Sequence, residues 1–341
     1  LYGGNATPPA VSRLGYKFDG WDCSYSNVNS ENLVCTAQFS RSSYIISNNY
    51  SGTMTFSDYA VYVDCSNPIK GALYKIASSV NVITFEDHSN TTGLALLANN
   101  FQRIEVLNRS TPITIILINY YSIALNTYNG IYGSSATVNL YCIGENVITG
   151  GVLSTSGPIL DYSSAGIYTN TINITGESGA SLTVWGGIGN TGAGGIGYSN
   201  IAADNSIGAN GGDGANGYDG GYGIVCVNLH ISNINVTITG GTGGFGGAGG
   251  KGQQAGKITT VPTYGVVGTT GKKGGDGGNG GNGGIGGLAV VNVFGTLDFA
   301  TGSVTQNDGS SARGGTGGNG GAGGNGGEGG TKWPTGNLAS T

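Results

Sequence analysis

Glycine recurs in a strict phase of three through the C-terminal part of this chain. Four runs, near residues 206–223, 240–256, 271–287 and 313–331, follow the pattern Gly-Gly-x. The third places Lys273, Asp276, Asn279, Asn282, Ile285 and Leu288 three apart. The fourth does the same with Arg313, Thr316, Asn319, Ala322, Asn325, Glu328 and Thr331. That period matches an extended left-handed helix of about 3 residues per turn and ~3.1 Å rise. Two faces of such a rod carry no Cβ, so neighbouring rods can close until backbone N–H meets backbone C=O. Collagen is excluded, because it takes one glycine per triplet and proline elsewhere, and these runs hold no proline. Ordering glycine costs roughly 1–2 kcal/mol per residue, and a backbone hydrogen bond returns only about 1 kcal/mol net. The rods therefore need one another and a rigid support. The alternative is a flexible linker. Strict phase, repetition and strand-like sequence between the runs favour a bundle of polyglycine II rods. Val at Gly280 or Gly284 should then be destabilising, whereas a linker would tolerate it.

Composition narrows the function classes. The chain of 341 residues has room for two or three domains. Only 9% is charged, against about 25% in ordinary soluble domains; Ser, Thr and Asn supply the polarity. A net charge of −5 argues against nucleic acid or anionic membrane as partner. No apolar stretch reaches the ~18 residues a spanning helix needs, so no membrane insertion is expected. The start, Leu1-Tyr2-Gly3-Gly4, does not read as a signal peptide and suggests a processed or truncated end. The five cysteines form no C-x-x-C pair, so neither a zinc site nor any other cofactor is expected. Cys65, Cys142 and Cys226 sit in apolar strand-like stretches and read as buried thiols. Sequons at Asn5, Asn49, Asn90, Asn108, Asn173 and Asn235 are candidate glycosylation sites. A chain this rich in Asn, Ser and Thr reaches that number by chance.

Residues 1–39 form a unit of two strands joined by a polar turn. Its motifs are Tyr2-Gly3-Gly4-Asn5-Ala6-Thr7-x-Pro9, Gly15-Tyr16-x-Phe18-x-Gly20-Trp21 and Val34-x-Thr36-Ala37-Gln38-Phe39. These resemble the end of the Listeria–Bacteroides repeat, the internalin-type B repeat with a β-grasp fold. The resemblance implies secretion and a spacer or adhesive role. The family's first strand is missing here, and Cys23 and Cys35 replace ordinary strand residues. These two flank the polar turn and are a candidate disulfide in an oxidising compartment. The missing strand would leave one side of Tyr16, Phe18 and Trp21 uncovered. That makes them a candidate self-assembly groove for β-strand addition, with the segment around 333–341 of a neighbouring copy as one donor. The alternative is a loosely docked remnant.

From residue 40 to about 205 the chain shows short alternating strands, among them 54–56, 60–64, 80–85, 104–107, 113–118 and 137–143, and one weak helix candidate at 94–100. In the last of these strands Val138, Leu140 and Cys142 face one way. Phrases such as Ala136-Thr137-Val138-Asn139-Leu140-Tyr141, Gly144-Glu145-Asn146 and Thr171-Ile172-Asn173-Ile174-Thr175-Gly176 recur. They resemble the right-handed parallel β-helix repeats of large bacterial surface proteins, whose coils bury a core by stacking. Each glycine run then reads as an excursion from this solenoid. Packed glycine rods of this kind resemble those of certain phage tail adhesins and of the springtail antifreeze protein. The connection 253–270, with Gln253, Pro262 and Tyr264, is a candidate binding loop.

Catalytic patterns are sparse. Glu86-Asp87-His88 is the one dense cluster and reads as a polar turn, since strand neighbours face opposite ways. Asp213 and Asp219 lack the regular spacing of a calcium repeat. The 19 tyrosines read either as cross-strand packing or as a sticky surface. The fold expectation is all-β: a partial β-grasp unit (1–39), a right-handed β-helix-like solenoid (40–205) and a polyglycine II bundle interleaved with solenoid strands (206–341). The functional expectation is a non-enzymatic extracellular or cell-surface protein that self-assembles into a filament or layer. Alternatives are an adhesin for a glycan or protein on a host surface, and a polysaccharide-degrading β-helix enzyme.

Overall fold

The computed structural model describes residues 3–28, 32–47, 50–66, 69–88, 101–124, 128–152, 164–200, 202–203, 206–255, 274–292 and 295–308. Among these there are strands and no helix. The helix candidate at 94–100 lies outside them.

The N-terminal unit pairs β1 (Lys17–Trp21) with β2 (Ala37–Ser40), antiparallel, with a bulge between Phe18 and Gly20. Residues 3–6 pair back on 25–28 through Gly3, Ala6, Tyr25 and Val28. Cys23 and Cys35 are joined by a disulfide, Cα–Cα 5.5 Å, across the turn between the strands. Gly15, at φ +78°, sits where a Cβ would press on Thr84 Oγ1 and Ile116 Cδ1. Glycine there lets the unit lie flat against the main sheet and cover Ile116.

The described strands after Ser40 belong to one parallel system of three ladders. The first ladder stacks β3 (Ser42–Ile45), β5 (Ala60–Asp64), β7 (Val82–Glu86), β9 (Ile113–Ile118), the second half of β11 (Ile131–Ile143), that of β13 (Ile167–Gly176), β16 (Asn228–Ile231) and β19 (Leu297–Phe299). The second stacks β4 (Tyr50–Phe56), β6 (Ile69–Ile76), β8 (Phe101–Val106), the first halves of β11 and β13, β15 (Ile224–Cys226) and β18 (Val290–Asn292). The third stacks β10 (Tyr121–Ile123), β12 (Glu145–Thr149), β14 (Ser181–Trp185), β17 (Asn235–Thr239) and β20 (Val304–Asn307).

Alternation of β-branched and polar residues sets the register. Val61, Ile83, Ile115, Leu140, Ile174, Ile231 and Phe299 form one continuous row on the core side of the first ladder. All but Phe299 are at most 1% exposed. A one-residue slip would turn the whole row outward. The core changes character along the stack. Its early part is an aromatic file, Tyr44, Phe56, Tyr74, Phe85 and Tyr120, with successive ring centroids 5.1–6.0 Å apart. Its later part is Ile, Leu and Val. Tyr74 and Tyr120 therefore pack inside the ladders, whereas the sequence reads its tyrosines either as cross-strand packing on a sheet surface or as a sticky surface.

Candidate functional surface: the glycine-run bundle

Between β14 and β15, and again between β17 and β18, the chain leaves the ladders and returns as two glycine runs. Residues 186–198 go out and 208–221 come back; 241–253 go out and 275–287 come back. This corrects the expectation that each run is a separate excursion. It also adds a run, 186–198, that precedes residue 206 and was read as part of the strand-rich region. Its phase is broken by Asn190-Thr191 and Ala193, which hid it. The fourth sequence run, 313–331, lies outside the described residues.

At least every third amide bonds a neighbouring run, and in 208–221 two of every three do. The two outgoing runs lie parallel, with Gly189, Gly192 and Gly195 donating to the carbonyls of Thr242, Phe245 and Ala248 at 2.7–2.8 Å. The two returning runs are also parallel, with Gly211, Gly214, Gly217 and Gly220 donating to Asp276, Asn279, Asn282 and Ile285 at 2.7–2.8 Å. Outgoing and returning runs cross-link antiparallel, as in Gly241 to Gly221, Gly244 to Tyr218, Gly278 to Gly250 and Gly284 to Gly244. Glycine is required at the contacts: a Cβ on Gly284 would fall on the Tyr218 carbonyl oxygen, and one on Gly247 on that of Ala193.

The returning runs carry a second ladder, made by side chains. Asn210, Asp213, Asn216 and Asp219 each accept, through Oδ1, the backbone N–H of Asp276, Asn279, Asn282 and Ile285, at 2.9, 2.7, 2.8 and 2.6 Å. All four pairs are 66 residues apart. An Asx side chain is the right length to reach the next run's amide from an x position. The carboxylates of Asp213 and Asp219 therefore each have a structural amide donor, as the carboxamides of Asn210 and Asn216 do. The bundle is thus two-sided. The returning side shows amides and carboxylates together with Ile285, 64% exposed. The outgoing side exposes Ile188, Thr191, Thr242, Phe245, Ala248 and Lys251, with Phe245 58% and Ile188 56% exposed.

The other sequence candidates fall as follows. Gln253 is tied inward: its N–H donates to the Ala209 carbonyl, its Oε1 accepts from Ala209 N–H, and its Nε2 donates to Asn200. Pro262 and Tyr264 lie outside the described residues. Phe18 packs on Trp21 and Phe39, and Trp21 on Tyr25. Tyr16 is elsewhere, between the guanidinium groups of Arg13 and Arg41 at 4.0 and 4.4 Å. Arg41 also covers Tyr62 at 4.0 Å, so these residues rivet the N-terminal unit to the first ladder. Among the described residues no strand pairs with the free edge of β1.

Glu86 and His88 point outward, and Asp87 is buried at 5% exposure. Tyr62 Oη lies 2.9 Å from His88 Nε2, and Glu86 lies 3.4 Å from Nδ1. Burial first, then Glu86, pushes the Tyr62 phenol well above its ordinary value. Among the described residues no group of three or more His, Cys, Asp or Glu is placed to hold a metal. Of the sequons, Asn5, Asn108 and Asn235 are exposed. Asn173 is half-buried and donates to Asn139 at 2.7 Å. Asn49 and Asn90 lie outside the described residues. No protein-family model, no curated protein and no solved structure matches the chain.

Proposed function

We propose that this is an extracellular structural protein that assembles with copies of itself, its ladders forming a right-handed parallel β-helix and its glycine runs a polyglycine II bundle. The observation that carries the reading is the last rung. Leu297 and Phe299 continue core rows, yet are 47% and 42% exposed, and β18, β19 and β20 each have one unpaired edge among the described residues. An open edge beside uncovered core side chains is what a further rung, or another chain, would cover. A contact that repeats head-to-tail without closing makes a fibre. The disulfide supports an oxidising, extracellular setting, and the low charge suits a packed array. Sedimentation and electron microscopy of the purified protein test this: concentration-dependent polymers are expected, and a strict monomer at high concentration would overturn it.

One observation favours an adhesin as the second reading. The outgoing side of the bundle exposes Phe245 and Ile188 along the same runs as Thr191, Thr242 and Lys251, an apolar and hydroxyl-bearing strip suited to a glycan or protein surface. Replacing Phe245 and Ile188 by Ser should then abolish attachment to a target surface and leave polymerisation intact.

A further inference from the structure

Five Asn-Gly pairs occur among the described residues: Asn129-Gly130, Asn210-Gly211, Asn216-Gly217, Asn279-Gly280 and Asn282-Gly283. Such a pair can cyclise, because a glycine leaves the following amide unshielded and conformationally free. The glycine nitrogen attacks the asparagine Cγ, forming an N–C bond. The Cγ–Nδ2 bond breaks, the glycine N–H proton is lost to solvent, and ammonia leaves with a proton from water. Water then opens the succinimide at either carbonyl, giving aspartate or isoaspartate. The attack needs a glycine N–H that is not committed elsewhere and a carboxamide free to turn.

The structure separates the five pairs on that criterion. Gly130 N–H donates to the Ala165 carbonyl at 3.2 Å, and Asn129 is buried. Gly211 and Gly217 N–H donate to the carbonyls of Asp276 and Asn282 at 2.8 and 2.7 Å. The carboxamides of Asn210 and Asn216 are held by the amides of Asp276 and Asn282. Asn279 and Asn282 are the mirror case. Their own N–H and C=O groups are bonded to the preceding returning run, but their side chains are exposed. No described residue accepts from Gly280 or Gly283 N–H, and none holds either carboxamide.

We infer that Asn279 and Asn282 are sites of spontaneous deamidation, and that Asn129, Asn210 and Asn216 are protected by the fold. The two products differ in consequence. Aspartate leaves the three-residue phase intact, as Asp213 already does among its Asn neighbours. Isoaspartate inserts an extra backbone atom and shifts the carbonyls that Gly214 and Gly217 use. The second returning run, 275–287, would then loosen with age while the first, 208–221, stays intact, a covalent clock on the bundle.

The test is incubation of the full folded chain in mildly alkaline buffer, with peptide mapping of each Asn-Gly site over time, beside the same chain in denaturant. In denaturant all five sites should convert at similar rates. In the folded chain, Asn279 and Asn282 should convert at least about tenfold faster than the other three, the ratio ~1.4 kcal/mol gives. Equal rates at all five folded sites, faster conversion at Asn210 or Asn216, or no conversion at Asn279 and Asn282 while the denatured sites react would each overturn the inference.

Discussion

The ladders and the glycine-run bundle use one backbone rule and opposite side-chain rules. In both, parallel segments are locked by regularly spaced N–H···O bonds. In the ladders the space between segments is filled by Ile, Leu, Val and aromatic rings, each fully buried side chain contributing roughly 1.5–3 kcal/mol. In the bundle it is filled by nothing, because the backbones themselves touch. The ladders are therefore stabilised by what their side chains add, and the bundle by what its glycines omit. The two should fail differently: ladder positions by truncation, bundle positions by addition.

The largest effect expected from a single change is a side chain added inside the bundle. Gly284 is buried, and its Cβ would fall on the Tyr218 carbonyl oxygen, a backbone atom that cannot move alone. Gly284→Val should cost upward of about 4 kcal/mol, in the range reserved for severe overpacking. Gly280 is half-buried, and Gly280→Val should cost under about 1 kcal/mol. By sequence the two positions are alike, both within the third Gly-Gly-x run. Urea unfolding of both variants decides; equal costs would mean the runs are not packed in this register.

Truncation in the ladders comes next. Ile174 lies fully buried between Leu140 and Ile231, so Ile174→Ala should cost about 3 kcal/mol, transfer plus cavity. A loss below 1 kcal/mol, on the order of a surface change, would show that the aliphatic half of the ladders is not a packed core.

Alkaline pH should act on the ladders alone. Burial pushes the thiols of Cys142 and Cys226 up to about 12, and both sit in ladder strands. An unfolded thiol ionises near pH 8.5, so above about that pH the unfolded chain sheds protons that the folded chain keeps, and stability falls as pH rises toward 12. The slope should approach ~1.4 kcal/mol per pH unit for each thiol. Denaturant midpoints measured across that window should drop, and the double change Cys142→Ala, Cys226→Ala should make the drop shallower, leaving the part due to Cys65, whose thiol burial also pushes up. An unchanged slope in the double variant would mean that these thiols are not the cause.

The outline of this structure was legible because two periods are written into the sequence. Val138, Leu140 and Cys142 alternate as they must in a half-buried strand, and β5 and β9 match the expected 60–64 and 113–118. The Gly-Gly-x phase marked three of the runs. What could not be read was set by distance along the chain. The 66-residue spacing that puts Asp213 on Asn279 has no local signal, and neither does the pairing of outgoing with returning runs. The run at 186–198 was missed because its contacts need glycine only at every third position, with small residues such as Ala193 tolerated between. The placement of Tyr16 has no local signal for a similar reason: it is set by Arg41, which also stacks on Tyr62 of the first ladder.

The smallest expected effect tests whether the side-chain ladder of the returning runs stabilises or merely decorates. Asp213 Oδ1 takes the Asn279 amide at 2.7 Å, on an exposed face where water can replace it. Asp213→Ala should therefore cost only about 1 kcal/mol, the net worth of one such bond. Asp213→Asn keeps the acceptor and should be close to neutral, since Asn210 and Asn216 do the same work one step either side. Hydrogen exchange gives a sharper readout than global stability. The Asn279 amide should lose protection in the alanine variant and keep it in the asparagine variant, while the Gly278 and Gly281 amides, bonded to the outgoing run, stay protected in both. If all three amides lose protection together in the alanine variant, the side-chain ladder holds the whole run in place, and the bundle depends on its Asx positions as much as on its glycines.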